Sequence, residues 1–209
     1  MKQKIINVEQ SEYWNEKSGP KWVKNEDALN ERLSILTDEF FSRVKIKASD
    51  KVLDIGCGGG DTTFRVSKLL ADAGHVVGAD ISKTLLDHAK SKFSDIDTMT
   101  FVHCDAQNFS FDENYFDKVI SRFGVMFFEN PYQAFKNIHS TLKQSGQLSF
   151  VCWQNPSLNP WQSLSIAVIK EFLELPSPPP KSPGPFAFED KDYLLDLSLI
   201  HISEPTRPY

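Results

Sequence analysis

The stretch that most constrains the fold is Lys51–Thr63, KVLDIGCGGGDTT, where a short apolar run meets four glycines. Val52, Leu53 and Ile55 suit a parallel strand buried on both faces. Asp54 stands near its end, and Gly56, Gly58, Gly59 and Gly60 follow. Glycines are needed where the backbone takes positive φ and comes close to a ligand, an approach that a Cβ would block. The pattern predicts a helix from Asp61 to about Ala71 whose free N–H groups point back at the same space. A turn that merely joins strand to helix would leave the same local pattern, so the rest of the chain has to decide.

Downstream, strands and helices alternate. Val76, Val77 and Ala79 form a second buried strand with Asp80 at its carboxyl end, and Ser82 caps a helix over Lys83–Phe93. Met99–Cys104 is a third strand, followed by Asp105 and Ala106; taken alone, Asp105 reads as a turn former. Phe116–Ser121 is a fourth strand running into Arg122–Phe128. Arg122 suits either pairing with a carboxylate, of a cofactor or of a substrate, through its planar fork, or a surface position, and Val125–Phe128 suits core better than a pocket floor. Asn130 and Pro131 open a helix striped by Ala134, Phe135, Ile138 and Leu142 and stopped by Gly146, and Leu148–Trp153 is the fifth strand. A helix from about Trp161 carries Leu164, Val168 and Phe172, and the proline-rich Pro176–Pro185 that follows reads as an extended connector.

Upstream, Leu29, Leu33, Leu36, Phe40 and Val44 give Asn25–Val44 one amphipathic face. Tyr13, Trp14 and Trp22 lie in an otherwise polar segment, as anchors on the body or as part of a lid. Five strands alternating with helices imply an α/β, doubly wound, mostly parallel sheet, in which ligands bind beyond the carboxyl ends of the strands. Gly56–Gly60, Asp80, Asp105 and Ser121 all fall at such ends. Four separate stretches thus converge on one crevice.

Spacing separates the cofactor classes that use a glycine turn. The dinucleotide pattern G-x-G-x-x-G, begun at Gly56, requires glycine where the chain has Asp61. Asp80 can accept hydrogen bonds from both hydroxyls of a ribose and does not choose between cofactors. The order Asp54, Gly56, Gly58, Gly60 resembles motif I of the Rossmann-like, class I S-adenosylmethionine (SAM) methyltransferases that act on small molecules. That resemblance implies SAM as cofactor. It puts Asp54, Gly56, Cys57, Gly58 and Gly60 at the amino-acid end, Asp80 and Ile81 at the ribose, Asp105 and Ala106 at the adenine, and Ser121 at the fourth strand end. The reaction implied is in-line methyl transfer to an oxygen, nitrogen or carbon nucleophile. No catalytic residue follows from it, since His103 and His139 read as strand and helix residues rather than bases. The Asn/Asp-Pro-Pro-Tyr-like element of methyltransferases acting on nucleobase amines is replaced here by Ser121-Arg122-Phe123-Gly124. The rivals are an NAD-dependent oxidoreductase and a non-catalytic SAM-binding relic.

Composition narrows the partners. A net charge of -5 gives no general attraction to nucleic acid, so a small-molecule substrate is expected. Three scattered cysteines without a C-x-x-C pair indicate neither a zinc site nor a disulfide framework, and no window approaches the roughly 18 apolar residues of a membrane span, so the expectation is a cytoplasmic protein. Residues 197–207, LSLIHISEPTR, resemble a translated sequencing-library adaptor. The expected organisation is an N-terminal helical or lid segment at 1–48, a SAM-binding domain at 49–196 lacking the family's last two strands, and an extraneous tail at 197–209.

Overall fold

A computed structural model describes residues 4–175 and 179–199. Five strands, β1 (Lys51–Ile55), β2 (His75–Asp80), β3 (Met99–His103), β4 (Phe116–Arg122) and β5 (Leu142–Val151), form one parallel sheet in the order β3-β2-β1-β4-β5. The chain winds outward from β1 in both directions, so the connections leaving β1 and β4 diverge where the strand order reverses. This is the Rossmann-like fold expected from the alternation of elements.

The strand residues alternate between two apolar layers, as the two-residue period requires. Val52, Val76 and Ile120 face one layer with Phe40, Val44 and Val66. Leu53, Ile55, Ala79 and Val119 face the other with Ala134, Phe135 and Ile138. The first layer is covered by α3 (Glu26–Arg43) and α4 (Asp61–Ser67), the second by α6 (Pro131–Thr141) and α8 (Lys191–Leu199). The helix α5 (Lys83–Lys92) begins at Ser82, whose Oγ accepts from the Leu85 N–H at 3.2 Å.

Several boundaries differ from the sequence expectation. Residues 8–24 are helical throughout, as α1 (Val8–Glu12), a π-helical turn (Tyr13–Lys17) and α2 (Ser18–Lys24). Helix α4 stops at Ser67 rather than near Ala71. Leu142 is the first residue of β5 and not the last of the helical stripe; the register with β4 shifts between Phe116 and Lys118, and Gly146 lies in that irregular stretch instead of ending the helix. The helix after β5 is α7 (Pro160–Lys170), and α8 follows the proline-rich stretch, of which residues 176–178 lie outside the described residues. Leu197, assigned from the sequence to the tail, is fully buried in the layer beneath α6, while residues 200–209 lie outside the described residues.

Ile120 lies at the centre of the sheet with no exposed surface, whereas Ile35 on α3 is 81% exposed. Ile120→Ala should lower the unfolding free energy in urea by about 2–5 kcal/mol, and Ile35→Ala should stay within about 0.5 kcal/mol of the parent.

Candidate active site

Backbone pairing of β1 with β2 continues into the glycine turn. The N–H groups of Gly56 and Cys57 both donate to the Ala79 carbonyl, at 2.8 and 3.2 Å. Gly56 then turns with φ of 68° against Gly124, where an added Cβ would sit 2.5 Å from the Gly124 Cα. Gly58, with φ of 56°, is different: a Cβ there would meet nothing within 4 Å and would project into open space. A Cβ at Gly59 would lie 2.5 Å from Glu26 Oε1. The first turn position therefore permits chain packing, and the second leaves room for a ligand.

Asp80 holds this turn in place. Its Oδ2 accepts from the Gly58 N–H at 2.8 Å and its Oδ1 from the Ser82 N–H at 2.7 Å, so one carboxylate fixes both the turn after β1 and the entry to α5. Burial raises its pKa against the lowering effect of these N–H groups. Two bonds leave lone pairs on each oxygen for further donors. Asp105 is engaged similarly, with Oδ1 accepting from Gln107 N–H at 3.1 Å and Oδ2 from the N–H groups of Ile6 and Asn7 at 3.2 and 2.9 Å. The carboxylate given to adenine by the family resemblance also clasps the N-terminal segment.

These groups open onto one cavity of about 1030 Å³. Of the ten residues proposed from the sequence, Gly56, Cys57, Gly58, Asp80, Ile81, Asp105 and Ala106 line it. Asp54, Gly60 and Ser121 do not; they sit behind the wall. Asp54 is completely buried, its Oδ2 accepts from the hydroxyls of Thr62 and Thr63 at 2.6 and 2.7 Å, and its Oδ1 has no partner among the described residues. Gly60 is the N-cap residue of α4 in left-handed conformation. Ser121 Oγ donates to the Ile55 carbonyl at 2.7 Å and accepts from the N–H groups of Gly124 and Val125 at 3.1 and 3.2 Å, tying β4 to β1 where their connections diverge.

The far part of the cavity is aromatic and aliphatic, with Trp14, Trp22, Leu33, Phe123, Phe127 and Trp153 on its walls. Trp14 meets Phe127 edge-on at 5.2 Å, so the N-terminal aromatics are both anchors and cavity wall. Phe123 stacks on Trp153 at 4.5 Å while its backbone takes φ of 67°, a conformation that bulky residues avoid. No histidine lines the cavity among the described residues; His103 is exposed and its Nε2 lies 3.0 Å from the Ile81 carbonyl. Burial pushes the Cys57 and Cys104 thiols up, which keeps them protonated at neutral pH.

Arg122 is neither a surface residue nor an isolated one. Its side chain is 10% exposed, lines the cavity, and pairs with Asp61 at 3.1 Å. Glu26, also on the wall, takes Lys92 Nζ at 2.8 Å and lies 2.9 Å from His88 Nε2. Sequence patterns do not reveal such long-range pairs, although Asp61 in place of a third glycine marks one end of the first.

Residues 52–146 match the family model described as a methyltransferase domain. The demethylmenaquinone methyltransferase of Staphylococcus epidermidis is 32% identical over 117 residues, which cover 56% of this chain and 48% of that protein. The ubiquinone/menaquinone biosynthesis C-methyltransferase UbiE of Coxiella burnetii is 26% identical over 66% of this chain and 58% of its own. The chain thus spans about half the length of the first of these curated relatives. A SAM-dependent methyltransferase from Aquifex aeolicus has a similar structure, with a TM-score of 0.59, 18% identity, and coverage of 73% of this chain and 86% of that one. The fold is that of the Rossmann-like SAM-dependent methyltransferases.

The Asp54 carboxyl, pushed up to about 6 by burial from its ordinary 3.8, generates a pH test. Between those values the folded chain holds a proton that the unfolded chain releases, so stability falls as pH rises through this window. Wild type should lose up to about 3 kcal/mol relative to Asp54→Asn between pH 4 and pH 7, read from urea unfolding at each pH.

Proposed function

We propose that this protein transfers the methyl group of SAM to a small, largely apolar acceptor. The observation that carries this reading is the single cavity that joins the Gly56–Gly58 turn, Asp80 and Asp105 to an aromatic compartment. The fit to the cofactor rests on the open space at Gly58 and on the spare lone pairs of Asp80 and Asp105. Gly56, Cys57 and Gly58 would hold the amino-acid arm, Asp80 and Ile81 the ribose, and Asp105 and Ala106 the base. Asp54, Gly60 and Ser121 support them from behind.

Bound there, the cofactor supplies an activated methyl group on a sulfonium. The protein's own work is to orient the acceptor and exclude water, which can be worth roughly 7–11 kcal/mol in well-oriented systems. The relatives' names refer to quinone precursors, and an aromatic acceptor of that class suits walls made by Trp14, Phe123, Phe127 and Trp153. Within the N-terminal segment, residues 4–24 act as a cap on the sheet domain, a role supported by the contacts of Ile6, Asn7 and Trp14, while α3 packs into the body of the fold. The setting is cytoplasmic, a reading supported by three unpaired thiols.

Titration calorimetry should show one SAM bound per chain and no heat with NAD. Asp80→Ala should weaken SAM by about tenfold or more, the loss expected for hydrogen bonds to a charged group. Heat with NAD and none with SAM would reverse the assignment. With SAM and a panel of phenols and quinols, appearance of S-adenosylhomocysteine would separate an enzyme from a binding relic.

A further inference from the structure

Four features follow the strand order along the carboxyl rim: Asp105 after β3, Asp80 at the end of β2, the Gly56–Gly59 turn after β1, and Arg122 at the end of β4. Neighbouring strands lie about 4.8 Å apart. A nucleoside with its base at Asp105 and its ribose at Asp80 must therefore send the substituent on its 5′ carbon across the glycine turn toward Arg122.

Arg122 is built to receive an anion there. Nη1 donates to Thr37 Oγ1 at 2.9 Å and to Asp61 Oδ2 at 3.1 Å, and Nη2 donates to Asn30 Oδ1 at 3.1 Å. A guanidinium carries five N–H donors in a rigid fork. Nε–H and one Nη2–H are thus without an acceptor among the described residues, on a side chain that lines the cavity. The fork is held from two sides, by Asp61 at the start of α4 and by Asn30 and Thr37 on α3. The same helix supplies Leu29, Leu33 and Leu36 to the cavity wall.

Resting on the SAM reading, we propose that Arg122 receives the carboxylate of the cofactor's amino-acid arm and, through Asn30 and Thr37, couples cofactor binding to the acceptor wall formed by α3. The bound carboxylate takes the free N–H groups of the fork and restrains the guanidinium further. That restraint passes to α3 through two side-chain hydrogen bonds. The acceptor compartment is therefore completed by the cofactor's arm and not by its nucleoside.

S-adenosylhomocysteine and 5′-methylthioadenosine, which lacks the amino-acid arm, separate these contributions. Wild type should bind the first about tenfold or more tightly than the second, and Arg122→Met should remove most of that advantage while leaving 5′-methylthioadenosine within about twofold. Hydrogen exchange over residues 26–43 should slow with S-adenosylhomocysteine but not with 5′-methylthioadenosine. Equal weakening of both nucleosides by Arg122→Met would mean a purely structural role, and an intact preference in the variant would place the carboxylate elsewhere; either overturns the proposal. If Arg122→Met does not fold, decarboxylated SAM on wild type decides: it should bind more weakly than SAM and leave exchange in 26–43 fast, and equal affinity with equal slowing overturns the proposal. A wild-type chain that binds 5′-methylthioadenosine as tightly as S-adenosylhomocysteine overturns this proposal alone. One that binds neither overturns the SAM reading with it.

Discussion

A left-handed turn packed glycine against glycine is the constraint on which the site is built. The chain leaves β1 at Gly56 with φ of 68° and passes Gly124 so closely that a Cβ would come within 2.5 Å of its backbone. Ser121 Oγ, bonded to Ile55 and to the amides of Gly124 and Val125, keeps the two strand ends together at this crossing. Because the chain leaves β1 toward β2 and β4 toward β5, the two connections part here and a crevice opens at the carboxyl rim of the sheet. The turn therefore locates the cavity before any side chain contributes to it.

Carboxylates then make that crevice rigid and polar on one side. Asp80 spends one hydrogen bond per oxygen on the turn and on α5, and Asp105 spends three on its own loop and on residues 6 and 7. Buried carboxylates are costly unless hydrogen-bonded, and these are satisfied by backbone amides that also fix their orientation. The opposite side is apolar, made by aromatics of the N-terminal helices, the β4 exit and β5's end. A charged cofactor and an apolar acceptor can thus share one space with little competition for walls.

Much of the fold was legible because β1, β2 and β4 each carry a short apolar stretch, Val52–Leu53, Val76–Val77 and Val119–Ile120, and are followed by turn chemistry. The turn, Asp80 and Asp105 were legible for the same reason, since they fall at strand ends. The helices of residues 8–24 were not, because their few aromatics lie in a polar background and are ordered by distant partners, as Trp14 is by Phe127 and Ser82. Asp54, Gly60 and Ser121 read as site residues by position, but their hydrogen bonds and packing turn them inward. Arg122 stands out in sequence as a possible carboxylate partner, but its own partners, 61 to 92 residues away, and the pairing of Glu26 with residues 62 to 66 away lie beyond any local pattern. Leu197 looked extraneous in sequence, yet it is buried in the described fold.

The account turns on a SAM-type nucleoside lying along the rim from Asp105 to Gly56. A crystal structure of the protein grown with S-adenosylhomocysteine tests it most directly. The account predicts the ribose hydroxyls at Asp80, the base at Asp105 and Ala106, and the amino-acid arm over Gly56–Gly59. Ligand density in any other orientation, or away from this cavity, would contradict it.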